Sequence, residues 1–185
     1  MSLILGILDS GVAASTNSYE SIATVTVGSG GASEVEFTSI PSTYTHLQIR
    51  ALARNTTAET ASNTFSRFNS DTGNNYTAHW LTGDGASASA NNVVPWDVNL
   101  VANIPAANAS ASIFGVMICD VLDYANTNKF KTLRSLTGND RNGSGSIWLD
   151  SGLWRSTSAI TSIKFTTGTA FAQYSQFALY GIKGA

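Results

Sequence analysis

The side chains able to exchange a proton near neutrality are two histidines, His46 and His79, and one cysteine, Cys119. Neither histidine has a second histidine or a carboxylate at the short spacing a metal site uses, and both fall in strand-like segments, so both read as structural. Cys119 lies in the most apolar stretch of the chain, where a thiol packs as a small hydrophobe and its thiolate is disfavoured. As the single cysteine it also excludes an intramolecular disulfide and a cysteine-rich zinc site. Asp120 and Asp123 stand close together, and paired acids flanking a cleft can cleave glycosides. At a strand end, however, aspartate more commonly opens a turn by accepting from the backbone two residues on, and that reading is preferred. Asn139-Asp140-Arg141-Asn142-Gly143-Ser144 has some rhythm of a calcium loop without its further carboxylates or terminal glutamate. Gly83 and Gly85 lack the spacing of a phosphate-cradling loop and precede no helix. No catalytic residue, metal or cofactor is assigned, and an enzyme is not expected.

Aromatic side chains offer a different chemistry. Of the four tryptophans, Trp80 has the weakest claim to exposure. Trp96 follows Pro95 on an expected sheet edge, and Trp148 and Trp154 flank Asp150-Ser151-Gly152, which reads as a turn. These three are the candidates for stacking on the apolar face of a glycan, with core or subunit packing as the plain alternative.

The elements that would position these groups are strands. The chain has 185 residues, of which 43% are hydrophobic and only 12% charged, with a net charge of −2. Ser, Thr, Asn and Gly number 24, 21, 15 and 16, so solubility rests on neutral polar groups. The near-zero charge gives no field to gather phosphates or anionic lipid, so neither nucleic acid nor membrane is expected as a partner. Apolar and polar residues alternate with period two in short runs rich in Val, Ile, Thr and aromatics. Ile22 to Val27 and the segment around Val35 and Phe37 read as a hairpin through Gly28-Ser29-Gly30-Gly31. His46 to Arg54 is the cleanest strand, with Leu47, Ile49, Ala51 and Ala53 on one face. Residues 64–69 and 76–81 suggest a second hairpin, 82–92 a long exposed loop, and 93–101 an edge strand or bulge because of Pro95. Ile113 to Leu122 is apolar on both faces and reads as a central strand covered on both sides. Residues 130–137 should pair with it, and 147–149, 160–165 and 175–182 complete an all-β, antiparallel β-sandwich of the jelly-roll kind.

Three segments together carry a resemblance: Met1-Ser2-Leu3-Ile4-Leu5-Gly6, Ile40-Pro41-Ser42-Thr43-Tyr44-Thr45-His46-Leu47-Gln48-Ile49-Arg50, and Phe177-Ala178-Leu179-Tyr180-Gly181-Ile182-Lys183. The chain resembles small virion proteins of tailed bacteriophages, especially those of marine phages and cyanophages. The likeness extends through Phe68-Asn69-Ser70-Asp71-Thr72-Gly73-Asn74-Asn75-Tyr76 and Leu122-Asp123-Tyr124-Ala125-Asn126-Thr127-Asn128-Lys129. It implies a structural protein on the particle exterior, as capsid decoration or a short fibre, assembled in the host cytoplasm among other virion proteins. It carries over no catalytic residue. A homo-oligomer, by analogy a trimer, is expected. The rival is a tail-tip protein that binds a host surface glycan through Trp96, Trp148 and Trp154.

The apolar run Leu3-Ile4-Leu5-Gly6-Ile7-Leu8 is too short to span a membrane and lacks the basic residues of a signal peptide, so it is read as part of the mature protein. Residues 1–20 are expected to form an extended arm docked on another virion protein through Leu3, Ile4, Leu5, Ile7 and Leu8, with 21–185 as the sandwich. The plain alternative makes the same residues the first strand of the protein's own sheet.

Overall fold

The computed structural model describes residues 18–184. The period-two runs become twelve strands, and no helix occurs among the described residues. The first six are β1 (Tyr19–Thr26), β2 (Ala32–Phe37), β3 (His46–Ala53), β4 (Ala61–Phe68), β5 (Tyr76–Gly83) and β6 (Ala88–Trp96). The remainder are β7 (Asn99–Pro105), β8 (Gly115–Leu122), β9 (Lys131–Asp140), β10 (Gly145–Trp154), β11 (Ile163–Phe171) and β12 (Gln176–Ile182). They form two antiparallel sheets, one of eight strands in the order β1-β12-β3-β8-β9-β10-β5-β6 and one of four in the order β2-β11-β4-β7.

β1, β2, β3 and β4 pair with β12, β11, β8 and β7 in turn. This nesting is that of a jelly roll, a long antiparallel ribbon rolled so that successive strands alternate between two sheets. The hairpins β5–β6 and β9–β10 are insertions in the ribbon, and both widen the same sheet. The expected jelly-roll sandwich is therefore what the chain forms.

Several local expectations are corrected. β1 and β2 do not form a hairpin, nor do β4 and β5, because each of these pairs is divided between the two sheets. Alternation reports which face a side chain takes and is silent on the partner strand. Residues 82–92 are a tight turn and most of β6, the edge of the larger sheet. An edge strand exposed on both sides needs backbone pairing but no large apolar side chain. Residues 93–101 divide between β6 and β7, with Pro95 on the edge strand beside a register shift, as its missing N–H demands. Asp150-Ser151-Gly152 is no turn but the middle of β10. Gly152 sits there because a Cβ would meet Asn99 Oδ1 at 2.7 Å and Leu133 at 3.0 Å. β8 is central, between β3 and β9, yet only Met117, Cys119 and Val121 on one side are buried, while Val116, Ile118 and Leu122 are exposed. Finally, Tyr19 and Glu20, expected in the arm, belong to β1 and pair with Ile182 and Gly181.

The core lies where the two sheets overlap. Leu47 and Ile49 of β3, Val121 of β8 and Leu179 of β12 meet Phe37, Ile163 and Phe165 of the smaller sheet, all almost fully buried. Phe171 stands edge-on to Phe177 with ring centroids 4.9 Å apart. Around the far end Phe68, Tyr76 and Trp154 form a second aromatic cluster, and Trp154 Nε1 donates to Asp71 Oδ2 at 2.7 Å.

β7 is the last strand of the smaller sheet, so its outer edge has no strand to pair with. Side chains at every second position of β9 take that place: Ser135 Oγ donates to Val101 O at 2.6 Å, and Asn139 Nδ2 to Asn103 O at 3.2 Å. Thr137 Oγ1 reaches Val101 O at a longer 3.4 Å. All three are buried, and the inward face of β9 acts as a polar ladder for a bare sheet edge. Ser135→Ala should destabilise the fold by about 1–3 kcal/mol, because Val101 O would be left buried without its short bond. Thr137→Val should cost less. Urea unfolding of the two variants measures both.

Candidate interaction surface

The outward face of the larger sheet is where the sequence did not foresee chemistry. Strand register places Arg50, Ile118, Leu136, Leu149, Leu81 and Ala90 in one row across β3, β8, β9, β10, β5 and β6. The adjacent row runs Leu52, Val116, Gly138, Ile147, Gly83 and Ala88. Leu52, Leu81, Val116, Ile118, Leu136, Ile147 and Leu149 are each between 43% and 63% exposed. Single exposed apolar residues are ordinary, but a contiguous set across five strands marks a surface meant to be covered.

A polar row borders it on one side. Gln48 Nε2 donates to Asp120 Oδ1 at 2.7 Å, Arg134 lies 3.3 Å from Asp120 Oδ2, and Arg50 Nε donates to Gln48 Oε1 at 2.9 Å. Arg50 also lies over the stacked rings of Tyr19 and Tyr180. Across this row, from Leu122 and Thr132 on one side to Leu81 and Leu149 on the other, lies a depression of about 580 Å3. A second hollow, of about 650 Å3, is lined by Gly83, Gly138, Gly143, Gly145, Val116 and Ile147.

The residues singled out from sequence fall elsewhere or in structural roles. Asp120 is committed to Gln48 and Arg134, whereas Asp123 sits in a turn, ion-paired with Lys129 and 3.5 Å from His46 Nδ1. His46 Nδ1 accepts from the Asp123 N–H at 3.0 Å. His79 is an exposed outward residue of β5. Cys119 is buried, which pushes its thiol pKa far up, with nearby Asp120 and Asp150 adding to the shift. In the 139–144 segment Asp140 Oδ1 accepts from Asn142 N, and Asn139 is spent on β7. Asp84, between Gly83 and Gly85, caps its turn by accepting from Ala86 and Ser87 N–H. No cluster of three or more His, Cys, Asp or Glu occurs among the described residues. Leu3, Ile4, Leu5, Ile7 and Leu8 lie outside the described residues.

The tryptophan assignments change most. Trp154 is 2% exposed and belongs to the core, because it points inward with Gly152 and Asp150 along β10. Trp148 is half-buried and stacks on Trp80, which had the weakest claim to exposure of the four, with ring centroids 6.4 Å apart and planes 13° from parallel. Trp96 is half-buried against the edge of Phe65. Trp80 and Trp148 lie on the inward side of β5 and β10, beyond the reach of the four-stranded sheet.

The acid that sequence reading missed is Asp150, fully buried beside Ser135. Ser135 has one hydroxyl proton and stands 2.6 Å from Val101 O and 3.2 Å from Asp150 Oδ2. Val101 O can only accept and is the nearer of the two, so the serine hydroxyl is shared between that carbonyl and Asp150 Oδ2. Burial pushes Asp150 up to about 7, with the Ser135 contact pulling the other way. Its side chain has no exposed surface and borders the depression that Leu81 and Leu149 line.

Comparison with known protein families, curated proteins and solved structures finds no match.

Asp150 generates a pH dependence. Unfolded, its carboxyl ionises near the ordinary aspartate value of 3.8, whereas folded its pKa is pushed up to about 7. Its contribution is therefore complete below the unfolded value and is lost as pH rises through the folded one, at about 1.4 kcal/mol per pH unit across the window. Asp150→Asn keeps the side chain's shape and an acceptor for Ser135 and cannot ionise. Urea unfolding across pH 4 to 7 should show the wild type losing stability relative to this variant as pH rises, with the difference levelling off above the window.

Proposed function

We propose that the chain is a non-enzymatic structural protein on the exterior of a tailed-phage particle, where it decorates the capsid or forms a short fibre and docks through its N-terminal segment. The observation that carries this reading is the jelly-roll sandwich with a surface of neutral polar residues and an uncovered apolar sheet face, a combination suited to a protein that works by contact with other subunits. The resemblance of the opening, the 40–50 segment and the ending to small virion proteins agrees with it. β1 is the outermost strand of the larger sheet, so the chain that precedes it enters at the periphery, a position from which Leu3, Ile4, Leu5, Ile7 and Leu8 could add to a neighbour's sheet edge. His46, Asp120 and Asp123 are engaged in folding contacts and Cys119 is buried, which supports a structural role over catalysis.

A second reading, glycan recognition at a tail tip, is favoured by the half-buried Trp80–Trp148 stack, with Trp96 set apart from it against Phe65 of the smaller sheet. Trp154 drops out of that site.

The test is deletion of residues 1–12. The truncated chain should remain folded and soluble, with an unchanged sheet spectrum by circular dichroism, and should no longer co-sediment with phage particles. Unfolding would place the segment in the protein's own core, and unaltered incorporation would locate attachment elsewhere. For the second reading, quenching of tryptophan fluorescence by host surface polysaccharide that Trp148→Ala abolishes would establish a ligand.

A further inference from the structure

The outward face of the larger sheet carries an inference that does not depend on where the protein resides. We propose that this face is the contact between two copies of the chain, stacked sheet on sheet about a two-fold axis that runs across the strands between the two apolar rows. Such an axis turns each row onto the other. The row of Ile118, Leu136, Leu149 and Leu81 in one copy then faces Val116, Gly138, Ile147 and Gly83 in its partner.

The two rows are complementary in shape. Leu136 comes to lie over Gly138 and Leu81 over Gly83, so in both places a projecting leucine meets a position with no side chain. A Cβ at Gly83 would have no neighbour closer than 3.9 Å, and one at Gly138 none closer than 3.4 Å, so the space above each is open. The glycine-lined hollow of about 650 Å3 on that side of the axis is the recess the leucines enter. Charge is complementary as well. Arg134 lies two positions along β9 from Leu136 on one side of the axis, and Asp140 lies two positions from Gly138 on the other. The same rotation therefore sets Arg134 of one copy opposite Asp140 of the next, twice per dimer. Arg134 is 71% exposed despite its contact with Asp120, and Asp140 is exposed with Oδ2 outside its turn hydrogen bond, so both can reach a partner.

The area suffices. Six strands about 4.8 Å apart, with four outward rows about 6.8 Å apart, cover about 800 Å2 per copy, the share each partner contributes to a standard stable interface. An isologous contact uses one patch twice, so every apolar residue in it finds cover without a second specialised surface. Sheets stacked in this way keep their strands within about 30° of alignment, which preserves the row-on-row register near the axis.

Sedimentation equilibrium of the full chain up to ~100 μM tests the proposal, in a range that detects dissociation constants of a weak dimer. The expected result is a dimer that Leu136→Glu converts to a monomer with an unchanged circular dichroism spectrum. Arg134→Asp and Asp140→Arg should each weaken the dimer by about tenfold or more, and the double variant should restore it, because the exchanged charges again face each other. Rescue by the exchange is a result that damage to the fold would not produce. A wild-type monomer throughout that range would overturn the proposal. So would a trimer untouched by Leu136→Glu, which would place the contact on another surface. A monomer that becomes a dimer only on deletion of residues 1–17 would also overturn it, by making the chain's own N-terminal segment the cover.

Discussion

Four strands cannot cover eight. The smaller sheet has half as many strands as the larger, and that mismatch governs how the rest of the molecule is built. Where the sheets overlap, the interior is aliphatic and aromatic. Where β7 ends the overlap, a row of backbone carbonyls would be stranded, and the serine, threonine and asparagine of β9 meet them. A polar seam therefore runs through the sandwich at the boundary of the covered region, with Asp150 kept neutral inside it. Beyond the seam β5 and β6 overhang, and the indoles of Trp80 and Trp148 shield one another because no opposing sheet does.

The inserted hairpins explain both the overhang and the breadth of the outward face. Each lengthens the same sheet and leaves the smaller one at four strands, so the added residues increase surface faster than interior. A chain poor in charge has little to spend on such a surface. It keeps Gln48, Asp120, Arg134 and Arg50 in a bonded border and leaves the central rows apolar. The border sets limits to the patch as much as it keeps it soluble.

Strand identity was legible because the face a side chain takes is a local property: β3 shows it in the alternation of Leu47, Ile49, Ala51 and Ala53 with Gln48 and Arg50. Partnership was not, since in a rolled ribbon neighbours in sequence are placed in opposite sheets, and the glycine-rich turn after β1 looks the same whether it closes a hairpin or carries the chain across. β8 misled for a related reason. Apolar residues on both faces of a strand signal burial only if both faces meet protein in the same molecule, and Val116, Ile118 and Leu122 do not. β6 was hidden by its lack of large side chains, and Trp154 by a Ser-Gly pair that mimics a turn while serving to admit Asn99. The acids Asp120 and Asp123 drew attention through their proximity, yet the perturbed carboxylate is Asp150, whose only sequence signal is its parity with Trp148 and Trp154 on β10.

The nesting of strands also sets an order of events during synthesis. β4 and β7 are the innermost pair of the ribbon, β3 and β8 the next, and β1 must wait for β12, so that Glu20 meets Lys183 across 163 residues of chain. A ribosome has to reach β12 before the outer strand finds its mate. Until then the growing chain presents an unfilled edge beside a leucine-bearing sheet, the two features most prone to draw nascent neighbours together. The interval between the synthesis of β1 and of β12 is therefore the window in which that edge is open to wrong partners.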